Sequence, residues 1–324
     1  MVLLATSSTD PTLSGVPSVI VVAGPTAVGK SRLAVEIARA MDGIVINADS
    51  QQQYRDLPIL SARPTLCDMT GIQHKLFGDL GPKDTSSAVE WADKAAREIS
   101  DTVNRGKIPI VVGGTGLYLR ALMEGLVDIP PVPREVRAAA VAILDDIGHA
   151  AFYERLKKRD PVIAQRISPS DTHRMIRAWE VAEATEMPLS NWQATPASPP
   201  VKAKYHSVVI MPQREVLYQA CDDRFLEMVG KGAVEELRVF LESEGALDMP
   251  IMKMLGAREL ASHLSGEMSL NDAMAAAQTA TRHFAKRQVT WFKNNFSTNC
   301  MIKMKYSENI KEEILPNIRR AVFT

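Results

Sequence analysis

The sequence predicts an α/β fold in which a doubly wound parallel sheet carries a helical insertion and a helical C-terminal part. Three observations predict it. Strand-like and helix-like patterns alternate over the first 125 residues, as repeated strand–helix units require. A glycine-rich loop joins the apolar run 19–23 to a helix-like segment. From about residue 130 to residue 200 the pattern is helical, with no convincing strand.

The N-terminal elements follow in order after residues 1–17, whose Ser, Thr and Pro content predicts a disordered tail. Strands are predicted at 19–23, 43–47, 75–77 and 108–112. Loops 24–31, 49–54 and 113–118 each follow a strand. Because parallel strands end at one edge of their sheet, we expect these loops to open onto one crevice.

Helix and domain boundaries come from caps and breakers. Ser87 and Glu90 form a capping box that begins a helix ending near Gly106. Proline clusters at 130–133 and 195–200 predict the ends of a helical insertion domain, 130–200. A strand at 206–210 returns to the sheet, and the remainder is predicted to be helical, with a long helix over 269–296. The predicted core is therefore 18–129 with 201–324.

Composition excludes several classes. Lys plus Arg and Asp plus Glu are both 38, so no global basic field indicates nucleic acid. No apolar run approaches the about 18 residues of a membrane span, and a first basic residue at Lys30 argues against a signal peptide. The three cysteines are far apart, which argues against zinc or disulfides. We expect a cytoplasmic protein without a membrane anchor, for which a monomer is sufficient.

The segment 24–31 has the pattern G-x-x-x-x-G-K-S between a strand and a helix. Backbone N–H groups and the helix N-terminus of such a loop bind phosphate groups. The lysine reaches the outer phosphate, and the serine hydroxyl binds Mg²⁺. The predicted diphosphate contacts are Gly24, Pro25, Thr26, Ala27, Val28, Gly29, Lys30 and Ser31, with Ser31 as the metal ligand.

The acidic residues do not follow the usual kinase or nucleotide triphosphatase pattern. Those enzymes commonly place a Mg²⁺-binding Asp at the end of another core strand, whereas 108–112 is followed by Gly-Gly-Thr. Asp49, directly after the second strand, is a catalytic candidate, although such an Asp is also a common turn former. The Thr115 hydroxyl can donate to a leaving-group oxygen or simply belong to a glycine turn.

Two local basic patches stand out on this neutral chain. Residues 273–307 contain six Lys or Arg and no acid, and Arg282, Lys286 and Lys293 fall on one helical face. His173, Arg174 and Arg177 form the second patch. Charge runs are usually solvated faces, but two of them on a chain of zero net charge favour a phosphate backbone as ligand.

These and further motifs resemble the tRNA dimethylallyltransferases (tRNA isopentenyltransferases), in order and spacing, from about residue 18 to 296. The sequence resembles the bacterial type of this family, because no C-terminal zinc finger follows these motifs. The matching motifs are GPTAVGKS at 24–31, DSQQQY at 49–54, SARPT at 61–65, HKL at 74–76, GGTGLY at 113–118, RMIRAWEV at 174–181 and KRQVTW at 286–291.

The resemblance implies transfer of a dimethylallyl group from dimethylallyl diphosphate to an adenosine amine in tRNA. The target adenosine lies 3′ of the anticodon in tRNAs that read codons beginning with U. Asp49 is then the general base, Thr115 contacts the bridging oxygen of the diphosphate, and the loop 24–31 with Mg²⁺ stabilises the leaving group. A loop that grips a leaving diphosphate also accounts for the missing strand-end carboxylate.

The resemblance further implies that the insertion clamps the tRNA anticodon stem-loop. Departures from the family pattern occur at Ala257, commonly a tyrosine, and at Gly78, often an acidic residue. The tRNA contacts carried over are Asp49, Ser50, Gln51, Gln52, Thr115, Arg137, His173, Arg174, Met175, Ile176, Arg177, Lys253, Met254, Leu255, Gly256, Ala257 and Arg258.

Three alternatives stay open at this point. They are a prenyltransferase acting on free adenine nucleotide, a small-molecule kinase on the same core, and a non-catalytic RNA-binding module. The first two need neither a helical insertion of about 70 residues, within the usual size of a small domain, nor a basic C-terminal helix.

Overall fold

A computed structural model describes residues 3–4, 15–69, 71–243 and 247–323. The chain divides into two compact units: residues up to Met123 together with those from Pro199, which we call the sheet unit, and Glu124–Ser198, which we call the helical unit. The helical unit thus begins six residues before the predicted position 130. Of the predicted tail, residues 1–2 and 5–14 lie outside the described residues. The prediction is wrong for Leu3–Leu4, which form a strand.

The sheet unit contains one mixed sheet whose strand order is β1-β7-β6-β2-β5-β3-β4. In the described residues, β2 to β7 are parallel and β1 pairs antiparallel with β7. The predicted α/β class is confirmed. The strands are β1 (Leu3–Leu4), β2 (Ser18–Ala23), β3 (Gly43–Asn47), β4 (His74–Lys75), β5 (Ile108–Gly113), β6 (Lys204–Ile210) and β7 (Cys300–Ile302).

The strand β7 corrects one prediction, because the chain after residue 210 was expected to be wholly helical. Three residues are too few to show a period of two in the sequence. The strand is defined by its pairing with β6, in which Val208 lies opposite Cys300. That contact joins distant parts of the chain, so it leaves no local sequence signal.

Helices cover the sheet and build the second unit. In chain order through the described residues they are α1 (Lys30–Met41), α2 (Leu66–Met69), α3 (Ala88–Asn104), α4 (Gly116–Met123), α5 (Arg134–Arg159), α6 (Pro161–Arg166), α7 (Thr172–Thr185), α8 (Leu189–Ala194), α9 (Arg214–Gly230), α10 (Ala233–Ser243), α11 (Ala257–Leu264), α12 (Leu270–Asn295) and α13 (Glu308–Phe323), with a 3₁₀ turn at Pro250–Lys253. None of these helices is both long enough and apolar enough to cross a membrane.

The strands adjoining the phosphate loop are buried on both faces. In β2, Val19 through Ala23 are fully buried, as are Ile110 and Val111 of β5. Continuous β-branched runs of this kind are typical of parallel strands covered on both sides. Their rigid core fixes the positions at which the strands end, and it is there that the loops of the site begin.

The helical unit has its own core, built around Phe152, Leu156 and Met175. Asp160 is fully buried there, and its carboxylate accepts hydrogen bonds from the backbone N–H groups of Ile163 (3.0 Å) and Ser190 (2.9 Å). These bonds satisfy helix-terminal donors inside a dry core. The unit therefore has the internal packing of a folded domain.

His206 on β6 predicts an acid-sensitive stability. Its ring is buried, with Nε2 3.3 Å from the Ser18 hydroxyl, and burial, assisted by Lys204, lowers its pKa to about 4. The unfolded chain binds this proton near pH 6.5, so stability is full above that pH and falls as the pH drops toward 4. Thermal unfolding followed between pH 7 and pH 4 checks this: His206→Gln should show a shallower decline than the wild type. Equal slopes would contradict the assignment.

Candidate active site

The phosphate loop (residues 24–31) connects β2 to the first turn of α1. Gly29 caps the helix with φ +92°, and a Cβ there would lie 2.8 Å from Cβ of Tyr306. Both observations require glycine at this position. The Tyr306 N–H donates to the Val28 carbonyl at 3.1 Å. The loop is therefore held in shape by a distant segment as well as by its own sequence.

Lys30 is buried in this loop, where Nζ donates to the Pro25 carbonyl at 2.6 Å. Burial lowers its pKa to about 8, while the Asp49 carboxylate acts in the opposite direction. A buried ammonium group is costly unless an anion compensates it. The site is accordingly suited to a ligand with several negative oxygens.

Ser31 is half-buried in the first turn of α1. Among the described residues, no group of three or more His, Cys, Asp or Glu side chains is arranged to hold a metal ion. Mg²⁺ commonly takes one or two protein oxygens and completes its shell with phosphate oxygens and water. The Ser31 hydroxyl beside a bound diphosphate fits that type of site.

Asp49 is fixed by the turn that follows β3. The buried Asn47 side chain accepts from the Asp49 N–H at 2.8 Å and donates to the Asp49 and Leu76 carbonyls. One Asp49 carboxylate oxygen, Oδ1, accepts from the Gln51 N–H at 3.0 Å. The carboxylate is half-buried, and these bonds set its direction.

The segments 49–54 and 113–118 interlock. The Thr115 hydroxyl accepts from the Ser50 N–H at 3.0 Å, and its own proton reaches Ser50 Oγ only at 3.4 Å. Gln53 Nε2 donates to the Tyr118 hydroxyl at 2.8 Å. The Tyr118 ring stacks on Trp91, with centroids 4.6 Å apart. Each motif thus fixes the other, which gives a physical reason for their joint occurrence.

A pocket brings Thr26 of the phosphate loop and Asp49 together in the sheet unit. Polar groups line one part, and an apolar wall of Leu60, Phe225, Met228, Leu255 and Phe284 lines another. The other lining residues are Gln51, Ser61, Cys221, Arg224 and Thr281. Because this pocket has both polar and apolar lining residues, it suits a ligand with an anionic part and an apolar part.

Arg224 is a cation of this pocket that the sequence did not reveal. Its NH1 donates to the Thr26 hydroxyl at 2.9 Å. Burial lowers its pKa, while Asp49 acts in the opposite direction; a guanidinium group nevertheless stays protonated. An isolated arginine next to two aspartates on α9 carries no motif signal.

The wall at 57–62 is held by Glu236, another residue without a sequence signal. Its carboxylate accepts from the N–H groups of Ile59 (2.8 Å) and Leu60 (2.9 Å). Leu57 and Ala62 have positive φ values of 57° and 47°. These anchors hold a strained segment that supplies two lining residues of the pocket.

Several of the predicted tRNA contacts are buried residues. The Gln52 amide is buried and donates to the carbonyls of Ser61 and Ala62. Six members of the predicted contact set are buried in this structure, and their contact with tRNA stays a prediction. They are Gln52, Met175, Ile176, Met254, Gly256 and Ala257.

The other predicted tRNA residues are accessible. Arg137 and Arg177 both bind the buried Glu180 carboxylate, at 2.9 and 2.8 Å, and are partly exposed. On α12, Arg282 pairs with Asp222 at 2.6 Å, whereas Lys286 and Lys293 are exposed. The accessible predicted contacts besides Asp49 and Thr115 are Ser50, Gln51, Arg137, His173, Arg174, Arg177, Lys253, Leu255 and Arg258.

The two departures from the family pattern have structural settings. Ala257 is fully buried in the apolar cluster that contains Leu60 and Phe225, so it presents no surface for stacking. Gly78 has φ +70°, and a Cβ there would lie 2.3 Å from NH1 of Arg63. Glycine at 78 leaves room for the Arg63 guanidinium group.

A mainly parallel sheet with a phosphate loop, a facing carboxylate, the buried Lys30 and the half-buried Arg224 defines an enzyme of the phosphate-loop α/β class. Residues 52–295 match the family model described as IPP transferase. The chain belongs to this family.

Similar proteins agree with that assignment. A protein of Paramagnetospirillum magneticum named tRNA dimethylallyltransferase is 46% identical over 305 residues, covering 94% of this chain and 97% of that protein. A Staphylococcus epidermidis tRNA isopentenylpyrophosphate transferase structure has a TM-score of 0.68 and 29% identity, covering 94% of this chain and 99% of its own. The structure of a eukaryotic dimethylallyltransferase acting on tRNA has a TM-score of 0.72 and 31% identity, covering 85% of this chain and 70% of its own.

Proposed function

We propose that this chain transfers a dimethylallyl group from dimethylallyl diphosphate to the exocyclic amine of the adenosine 3′ of the anticodon in tRNA. One observation carries the proposal: Thr26 of the phosphate loop, the Asp49 carboxylate and the Arg224 guanidinium group line the same pocket. A leaving-group site and a proton acceptor are thereby combined beside an apolar wall. The relatives' names support tRNA as the acceptor.

The diphosphate binds where positive charge is concentrated. Backbone N–H groups of the phosphate loop, Lys30 and Arg224 stabilise the charge that develops as the allylic C–O bond breaks. The Ser31 hydroxyl would hold Mg²⁺ together with diphosphate oxygens, and the ion would supply further charge neutralisation there. The Thr115 hydroxyl proton makes only a weak contact with Ser50, at 3.4 Å. It is therefore available to donate to the bridging oxygen of the diphosphate.

Asp49 acts as the general base. The adenine amine is a poor nucleophile because its lone pair is delocalised into the ring. As the C–N bond forms, the amine proton passes to the Asp49 carboxylate, while the electron pair of the breaking C–O bond leaves with the diphosphate. The adenosine must leave the anticodon-loop stack to reach this carboxylate. We expect this reaction in the cytoplasm, where tRNA is found.

Transfer of a radiolabelled dimethylallyl group to unmodified tRNA tests the proposal directly. The purified protein with Mg²⁺ should label tRNA, and excess anticodon stem-loop should suppress any labelling of AMP. Labelling of AMP that the stem-loop does not suppress would favour a nucleotide prenyltransferase. No transfer to either acceptor would overturn the proposed reaction.

Arg174 tests the tRNA contact made by the helical unit. It is exposed on α7, and its pair with Asp171 at 3.3 Å is a surface pair of small energy. Arg174→Ala should weaken tRNA binding and lessen the slope of log affinity against log salt by about 0.7. Arg238→Ala, which removes another surface arginine, from α10, should leave the slope unchanged. Equal slopes for both variants would remove Arg174 from the interface.

A further inference from the structure

Gln288 on α12 connects two loops of the site through its side-chain amide. Its Oε1 accepts from the Thr26 N–H of the phosphate loop at 2.9 Å. Its Nε2 donates to the Gly114 carbonyl at 2.8 Å, in the loop that carries Thr115. The side chain is buried, with 7% of its surface exposed. One amide therefore satisfies a donor and an acceptor from separate loops.

The fit around this amide is close. A Cβ on Gly114 would lie 2.5 Å from Gln288 Nε2 and 2.9 Å from the Gly24 carbonyl oxygen. One turn further along α12, Trp291 packs so tightly that a Cβ on Gly116 would lie 2.3 Å from its ring. The glycines of this loop thus allow α12 to approach the backbone directly, and α12 fixes the loop from outside the sheet.

The connection continues from Gly114 to the general base. Thr115, the next residue, accepts from the Ser50 N–H at 3.0 Å, and Ser50 is adjacent to Asp49. Continuous bonds therefore run from the phosphate loop through Gln288 and Thr115 to the residue beside Asp49. At the phosphate-loop end of this path, the Thr26 hydroxyl also accepts a hydrogen bond from Arg224.

We propose that Gln288 is a positioning residue that sets the phosphate loop and Thr115 at the separation needed for prenyl transfer. The inference rests on the proposed function. The C–O bond breaks and the C–N bond forms at the same carbon, so the leaving-group site and the base must be held apart by a fixed distance. Misplacement by about 1 Å can reduce a rate about 100-fold, whereas each substrate part can still bind.

Gln288→Met tests this role, because methionine preserves length and removes both hydrogen bonds. The expected result is a fall of about 10- to 100-fold in kcat, with the KM for dimethylallyl diphosphate within about threefold of wild type. Gln278→Met is the matched control: Gln278 lies on the same helix, and its amide donates to the Asp222 carbonyl at 3.2 Å. That variant should retain the wild-type kcat.

A second variant separates positioning from a loss of structure. Gln288→Glu keeps an acceptor for the Thr26 N–H but places an acceptor against the Gly114 carbonyl, so kcat should fall here also. Rates are expressed per pyrophosphate-binding site, which excludes unfolded protein from the comparison. Wild-type kcat in either variant, or a loss confined to KM, would overturn the inference. Failure of the wild type to transfer the prenyl group would instead overturn the proposed function.

Discussion

Asp49→Asn should lower the single-turnover rate of dimethylallyl transfer by about 10²- to 10⁴-fold, the usual contribution of a general base. Asparagine keeps the oxygen that accepts from the Gln51 N–H, so the turn is preserved. It cannot accept the amine proton. Pyrophosphate affinity should not fall, because the Asp49 charge lies near Lys30 and Arg224 and opposes anion binding.

Two measurements make this result decisive. Transfer rates with saturating tRNA report the chemical step, and calorimetry with pyrophosphate reports the leaving-group site. Asp223→Asn is the control, since Asp223 is exposed on α9 beside Arg224 and accepts from Gln219. A rate for Asp49→Asn within a few fold of wild type would remove Asp49 from its role as the base.

Lys30→Met should reduce kcat/KM for dimethylallyl diphosphate by about 10²- to 10³-fold, the effect of removing one donor that stabilises a developing anion. The ammonium group is buried and has one backbone acceptor, the Pro25 carbonyl. Methionine fills a similar volume without a buried charge. The variant should therefore unfold at the wild-type temperature or above it, because an ammonium group buried without a bound anion is costly to keep in the interior.

The combination of lost activity and retained stability is specific to a functional lysine. Pyrophosphate titration and thermal unfolding of the same sample measure both quantities. Lys107→Met is the control, since Lys107 pairs with Asp42 away from the pocket and should change neither property strongly. A lower unfolding temperature together with unchanged pyrophosphate affinity would show that Lys30 has a structural role instead.

The fold class and the two central loops could be predicted because their signals are local. A buried strand, a glycine loop and a helix follow one another in 19–41, and Ser87 with Glu90 forms the predicted capping box. The missed features depend on contacts between distant residues. Arg224 reaches Thr26 across 198 positions, and Gln288 reaches it across 262. No local pattern records such contacts.

The predicted tRNA residues show a second kind of limit. The resemblance identified segments, but a helical segment has a buried face and an exposed face. In α7, Met175 and Ile176 are buried, whereas His173 and Arg174 are exposed. The apolar side chains of Met175 and Ile176 already indicate in the sequence which members of the motif are buried. Burial in the folded chain determines which members of a motif are accessible to RNA.

The central claim is that one pocket holds the leaving diphosphate and the acceptor amine together. A crystal structure with pyrophosphate, Mg²⁺ and an anticodon stem-loop tests it most directly. The claim predicts pyrophosphate on the phosphate loop and Lys30, with the adenine amine within about 3.2 Å of the Asp49 carboxylate. An adenine bound away from Asp49, or pyrophosphate bound outside the loop, would contradict it.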